Sequence, residues 1–340
     1  MEVNVYEVAR QAGVSPATVL RVVNRPELVA VTTRTKVQEV MLDLGFVPNA
    51  SAQALRRGRS QLIGALIPHI SNSVFADFTD AVQKVFSEVG YNVMLGVHHF
   101  NPKDKLRQAR SLVQAGIEGL LIVGYEHDPA LFEALAQKKV SYICTDVHQS
   151  NSVHPSVGYD NYGAGQKIAE HLISLGHKRF GVITGDTQKN DRMAARLAGF
   201  RATLKDAGVT LHRNSVIEGD YNLADGRRGF VTLRALSSSR EAGPITGIMC
   251  GNDVIALGVL LEAQARGVRV PRELSVVGFD NLEWAKEFSP ALTTMLVPLA
   301  EMGRQAARAL LSKIQGGSPR HALDLPLELV ERETTGKAPS

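Results

Sequence analysis

NVYEVARQAGVSPATVLRVVN, residues 4–24, is the stretch on which the reading of this chain turns. Val5, Val8, Ala9 and Ala12 recur at three- and four-residue spacing, as on one apolar face of a helix. Asn4 precedes them, and its side-chain oxygen suits the first unpaired N–H groups of that helix. Gly13 ends the run, because glycine enters the left-handed turn without a Cβ penalty. Ser15 is then the expected cap of a second helix, with Pro16 in its first turn, where a missing N–H costs nothing. Val19, Val22 and Val23 are expected to face back onto the first helix. Two short helices around a glycine turn make a helix-turn-helix, whose second helix is sized for the major groove of DNA. A third helix is expected over TTRTKVQEVMLDLG, 32–45, capped by Thr32 or Thr33, with Val37, Val40, Met41 and Leu44 inward.

Charge supports a phosphate-facing front end. Residues 1–60 hold eight bases and five acids, a balance of +3, against +4 for all 340 residues. The positive excess therefore sits almost wholly in the head. The rest is ordinary globular composition, 44% hydrophobic and 21% charged, so a large core is available. No apolar run is long enough to cross a bilayer as a helix, and MEVNVYEVARQAG lacks the basic start and apolar stretch of a secretory signal. A cytoplasmic, nucleoid-associated protein without membrane contact is expected. Cys144 and Cys250 lie in apolar stretches and suggest neither disulfide nor zinc.

From Gln61 onward, buried strands alternate with amphipathic helices. LIGALIP (62–68), YNVMLGV (91–97), GLLIVG (119–124), VSYICTD (140–146) and SVGYD (156–160) form one set of strands. RFGVITG (179–185), SVIEGD (215–220), ITGIMCGN (245–252) and LSVVGFD (274–280) form a second. Such alternation means parallel sheets with helices on both faces, and two sets mean two similar subdomains. Ligands of such sheets bind beyond the carboxyl ends of the strands. Asp146, Asp160, Asn252 and Asp280 stand there, each readable as a pocket residue or as a simple strand-end cap.

VYEVARQAGVSPATVLRVVN followed by GFVPNASAQALRRGRSQLIGALIP (45–68) resembles the start of the LacI/GalR family of bacterial transcriptional regulators. The likeness continues in order through SNSVFADF (71–78), GYDNYGAG (158–165), HLISLGHKR (171–179), RLAGFRATL (196–204), CGNDVIALG (250–258), VRVPRELSVVGFDN (268–281) and SPALTTMLVP (289–298). It implies an all-α helix-turn-helix head on an α/β periplasmic-binding-protein-like core of two doubly wound parallel-sheet subdomains. The implied domains are a DNA-binding head at 1–48, a hinge helix and linker at 49–60, and an effector-binding and dimerisation domain at 61–340. Within the last, the first subdomain takes 61–160 and 292–322, and the second 161–291 and 323–340, with three crossings between them.

By the same resemblance, Pro16, Ala17 and Arg21 reach base edges, and Arg21 is able to fork onto a guanine. Thr18 and Thr33 lie near phosphates. Leu20 departs from the family's usual serine. In the hinge, Asn49, Ala52 and Leu55 are implied DNA contacts, with Leu55 as an apolar wedge that opens a minor-groove step. The implied effector residues are Phe75, Asp146, Asp160, Arg192, Arg196, Tyr221, Asn252 and Asp280. Arg192 and Arg196 stand four apart on one helix face, behind Asn190 and Asp191 as expected caps. Paired guanidinium forks suit a carboxylate or phosphate, and SNSVF looks like gluconate-responsive relatives. The implied partners are palindromic double-stranded operator DNA, a sugar or sugar-acid effector and a second copy of the chain, with no cofactor and no metal.

Catalytic patterns are missing. GAGQKI (163–168) lacks the third glycine of a dinucleotide loop, and no phosphate loop, zinc-protease or serine-elbow motif occurs. His98 and His99, adjacent on a strand end, point to opposite faces and make a poor metal pair. A sugar-modifying enzyme on a Rossmann-like core, or a metabolite-binding protein, is the alternative; the first lacks a nucleophile or base to name, and the second does not explain the head. The tail RETTGKAPS (332–340) reads as disordered, and no leucine heptad suggests a tetramerising coil.

Overall fold

The computed structural model describes residues 3–47, 58–71, 73–149, 153–236 and 243–339. Backbone contacts divide the chain into two units, Met1–Gln61 and Leu62–Ser340.

In the first unit, α1 (Val5–Ala12) begins where the Asn4 side-chain oxygen accepts from the N–H groups of Tyr6 and Glu7, at 3.0 and 3.2 Å. It ends at Gly13, φ 64°. α2 (Pro16–Asn24) is capped by Ser15 Oγ, which accepts from the Thr18 N–H at 3.1 Å. α3 (Val31–Asp43) has Ala30 in the cap position and no side-chain cap. Thr32 and Thr33, the expected caps, fall inside its first turn. The Arg34 N–H already bonds the Ala30 carbonyl at 2.9 Å, so the helix has started before either hydroxyl is reached. Val8, Ala12, Val19 and Val37 are fully buried, and Val23, Val40, Met41 and Leu44 are half-buried around them.

The second unit opens with β1 (Leu62–Ile67), α4 (Ser73–Ser87), β2 (Asn92–Val97), α5 (Pro102–Gln114), β3 (Gly119–Val123), α6 (Pro129–Gln137), β4 (Ser141–Thr145) and β5 (Ser156–Gly158). The alternation resumes with α7 (Asn161–Ser174), β6 (Phe180–Gly185), α8 (Asp191–Asp206), β7 (Val216–Gly219), α9 (Leu223–Leu236), β8 (Gly247–Cys250), α10 (Asp253–Ala265) and β9 (Ser275–Asp280). β10 (Thr293–Leu296), α11 (Leu299–Ile314), β11 (Ala322–Asp324) and β12 (Glu328–Val330) follow. The first sheet has the order β11-β5-β4-β3-β1-β2 and the second β12-β10-β9-β8-β6-β7. All pairings are parallel except β10 with β12. Helices cover both faces, so strands such as β3 and β9 are buried throughout and read as continuous apolar runs.

The chain passes between the lobes three times, but not where the sequence placed the later crossings. β10 pairs with β9 and β12 in the second sheet, so residues 293–296 belong there rather than to a first-lobe segment 292–322. β11 joins the first sheet beside β5, down to the pair Asp324–Gly158, so the return begins after 324 rather than at 323. Both errors have one cause: an apolar strand does not disclose its partner, which is set by register with distant strands. The tail is also ordered through residue 339. Thr334 is fully buried, its hydroxyl donating to the Val276 carbonyl at 2.8 Å and accepting from the Thr293 N–H at 2.8 Å. Small polar residues read as disorder because their partners lie about forty to sixty residues away along the chain.

α7 and α8 touch backbone to backbone. A Cβ added at Gly165 would sit 2.0 Å from the Arg196 carbonyl oxygen, and one at Gly199 2.0 Å from that of Tyr162. Gly199→Ala is therefore expected to lower stability by about 1–3 kcal/mol, the usual cost of overpacking. Urea unfolding checks this.

Candidate functional site

On the head, α2 buries Val19 and Val22 and leaves Ala17 and Arg21 exposed on the opposite face, with Pro16, Thr18 and Leu20 half-buried. The Thr18 hydroxyl lies 2.9 Å from Ser15 Oγ. Thr33 is half-buried on α3. Arg10 is drawn back onto Glu7, with Nε 3.1 Å from the carboxylate. Asn49, Ala52 and Leu55 lie outside the described residues.

In the second unit, the carboxyl ends of both sheets meet in one cleft. Its lining comprises His69, Val74, Phe75, Phe100, Asp146 and Tyr159 from the first lobe, with Asn190, Arg192, Met193, Arg196, Tyr221, Gly251, Asn252 and Asp280 from the second. All the expected effector residues are there except Asp160. That carboxylate is the N-cap of α7, accepting from the Gly163 N–H at 3.0 Å, and it is exposed. Side chains alternate leaving β5, so Tyr159 turns inward and Asp160 outward. The free space is about 40 Å³, little more than one water's share of the liquid, roughly 30 Å³. A larger hollow of about 740 Å³ lies at the amino ends of β6 and β8, lined by His177, Arg179, His212 and Ile245 among others; it is an open groove outside the cleft.

Arg196 is 3% exposed and spends its guanidinium on neutral oxygens: Nε donates to Asn161 Oδ1 at 2.8 Å, Nη1 to the Gly251 carbonyl at 3.1 Å and Nη2 to Tyr159 Oη at 3.1 Å. Its plane lies 3.3 Å from the Phe279 ring centroid. Tyr159 and Asn161 flank the first crossing, so this arginine ties the crossover to both sheets. Asp146 and Asp280 are 4% and 7% exposed, and burial pushes both carboxyls above their ordinary range. The Asp253 charge raises Asp280 further. Asp253, unnoticed in the sequence, is fully buried, accepts from Thr294 Oγ1 at 2.6 Å and the Leu282 N–H at 2.8 Å, and is pushed up to about 7 by burial.

Backbone strain gathers at the same place. Asp146 (φ 64°), Asp280 (φ 115°), His99 (φ 48°) and Phe100 (φ 55°) occupy conformations that side chains avoid, as residues at binding sites often do. Burial also pushes the Cys144 thiol up to about 12 and raises that of Cys250, so neither is poised as a thiolate. Among the described residues no group of three His, Cys, Asp or Glu is arranged to hold a metal, and no helix is long and apolar enough to cross a membrane.

Asn190 caps α8, accepting from the N–H groups of Arg192 and Met193, and its amide donates to Tyr221 Oη at 2.6 Å. Asp191, expected to share the capping, instead reaches across the cleft. Its Oδ2 accepts from the N–H groups of Tyr125 and Glu126 in the first lobe, at 2.5 and 3.1 Å. Its Oδ1 holds Arg192 Nη1 at 2.9 Å and the Arg192 N–H at 3.0 Å. These contacts hold Asp191 below its ordinary range against the opposing effect of burial. Phe100 and Tyr221 meet across the lobes with centroids 5.0 Å apart. The residues missed in the sequence, His69, Phe100 and Tyr159 above all, follow apolar strands directly, which is the signal that could have found them. Asp191→Ala should accelerate amide exchange at Tyr125 and Glu126 by about 5- to 100-fold, from a loss of about 1–3 kcal/mol; unchanged exchange would show that the contact carries no weight.

Residues 4–49 match the model of bacterial regulatory proteins of the lacI family, and 169–335 that of periplasmic binding protein-like domains. The HTH-type transcriptional repressor PurR of Klebsiella pneumoniae (strain 342) is 30% identical over 338 residues, covering 98% of this chain and 97% of its own. A LacI-family regulator from Silicibacter pomeroyi superposes with TM-score 0.88 at 25% identity, covering 98% of this chain and 99% of that one. The lac repressor dimer, solved bound to operator and an anti-inducer, gives TM-score 0.83 at 26% identity, covering 99% of this chain and 100% of that one.

Proposed function

The chain belongs to the lacI family of bacterial regulatory proteins, and from that premise we propose that it is a dimeric repressor of a carbohydrate or sugar-acid catabolic operon, released or recruited by a metabolite held between its two lobes. It is a DNA-binding transcriptional regulator, as its relatives are, and not an enzyme. The observation that carries the effector reading is the convergence, in one cleft, of Asp146 and Asp280 with Arg192, Arg196 and the rings of Phe75, Phe100 and Tyr221. Carboxyl oxygens accept from hydroxyls, and aromatic faces suit the apolar side of a sugar ring. The gluconate-type subgroup is the finer form of this reading, suggested by the likeness of the segment SNSVF (71–75).

On DNA, Arg21 reads a base edge from the exposed face of α2, Pro16 and Ala17 approach the same groove, and Thr18 and Thr33 lie against phosphates. A single short helix binds weakly, so twofold pairing over a palindrome supplies affinity. Asn49, Ala52 and Leu55 form the hinge contact, with Leu55 as the minor-groove wedge. A coupling of about 1–3 kcal/mol alters operator occupancy several-fold to a hundred-fold.

Calorimetry with neutral sugars, purines and sugar acids tests the effector class, and Arg196→Ala or Asp280→Ala should abolish the ligand response while operator affinity is kept. Binding confined to purines would discard the sugar reading, and an undiminished response would move the pocket elsewhere. Arg21→Ala should relax preference at one base pair of each half-site, at a cost of about 1–3 kcal/mol there. Equal weakening on all sequences would make it a phosphate contact instead.

A further inference from the structure

β9 ends in a bend. Asp280 (φ 115°) and Asn281 (φ 57°) follow one another with positive φ, a backbone that persists only where the surrounding contacts over-determine it. The first of the two lines the cleft.

The contacts that hold this bend come from behind it. Asp253, the first residue of α10, is fully buried. Its Oδ2 accepts from the Leu282 N–H at 2.8 Å, and its Oδ1 accepts from Thr294 Oγ1 at 2.6 Å. The Thr294 hydroxyl, its proton given to Asp253, accepts in turn from the Asn281 N–H at 3.3 Å. Both N–H groups that follow Asp280 therefore end on Asp253, one directly and one through a hydroxyl. Thr294 stands beside Gly278 in the parallel register of β10 with β9, and a Cβ on Gly278 would lie 2.2 Å from Asp253 Oδ1. The carboxylate thus takes the place of a side chain on β9.

An acid in the first turn of a helix ordinarily serves that helix. Here the cap is Asn252, whose Oδ1 accepts from the Ile255 N–H at 2.8 Å and which itself lines the cleft. Asp253, the next residue, reaches away to the bend. From the tail, Arg332 fixes the same bend by its side chain: Nη2 donates to Asn281 Oδ1 at 2.6 Å and Nη1 to the Leu292 carbonyl at 2.6 Å.

We propose that Asp253 is a positioning residue of the effector site, which together with Thr294 fixes the bend after β9 and so aims the Asp280 carboxyl into the cleft. This rests on the reading of the cleft as the effector site. Without these bonds the two N–H groups are released, the bend relaxes, and Asp280 leaves its place although no residue that lines the cleft has been replaced.

The test uses the full-length protein and needs no ligand for its first arm. Thr294→Val keeps the branched shape but removes the hydroxyl. It should speed amide exchange at Asn281 by about tenfold, shift the carboxyl carbon resonance of Asp280 and leave exchange at Val276 and Val277, earlier in β9, unchanged. Thr294→Ser should return both signals to their wild-type values, and Asp253→Ala should extend the faster exchange to Leu282. Thermal unfolding of each variant verifies the fold. An Asp280 resonance unmoved in Thr294→Val, or exchange that rises equally along β9, would overturn the positioning role. The second arm is calorimetry with D-gluconate, whose affinity should fall about tenfold in Thr294→Val, the loss of one hydrogen bond's worth of support, and recover in Thr294→Ser. A displaced Asp280 with gluconate affinity unchanged would overturn the link from Asp253 to the ligand. Failure of gluconate to bind the wild-type protein would overturn the sugar-acid reading instead, and the resonance and exchange would still decide whether Asp253 positions Asp280.

Discussion

One carboxylate joins the two lobes of the ligand-binding unit. Asp191 opens α8, where the helix dipole already favours negative charge, and four hydrogen bonds converge on it, two of them from backbone N–H groups of the opposite lobe. It also pairs with the Arg192 guanidinium. One turn further on, Arg196 is held by oxygens that carry no formal charge. The cleft therefore sets two guanidiniums beside two carboxyls, Asp146 and Asp280, whose ionisation burial opposes. Burying such groups has a cost that the fold must offset.

The scaffold bears that cost through packing elsewhere. α7 and α8 approach so closely at Gly165 and Gly199 that backbone fills the space of a side chain. This contact fixes the helix that carries Arg192 and Arg196 against the one that carries Asn161. The left-handed backbone at Asp146 and Asp280 is sustained by strands buried on both faces.

Much of this was legible before any coordinates. Asn4, Gly13, Ser15 and Pro16 mark the ends of α1 and α2 by local chemistry alone, and strand ends reveal most of the cleft. What stayed hidden depends on partners distant in sequence. Nothing in TTMLVP says which sheet it joins, Asp191 looks like a helix cap until the other lobe is present, and Thr334 looks like a frayed tail until Val276 and Thr293 are beside it. Asp160 misled for a narrower reason: one step of strand alternation decides whether a residue faces the pocket or the solvent, and a strand of three residues, Ser156–Gly158, leaves that phase open.

The threading of the chain has a consequence for how such proteins diversify. Each lobe is assembled from separated stretches, the first sheet from β1–β5 and β11 and the second from β6–β10 and β12, so exchanging one lobe for a relative's would need simultaneous breakpoints at all three passages. The head is joined to the remainder at a single boundary, between Gln61 and Leu62. One recombination event there trades a whole reader of DNA and leaves the sensor intact. Descendants of this architecture are thus free to shuffle what they bind on the chromosome, while new ligand preferences must accrue by point substitution within the cleft.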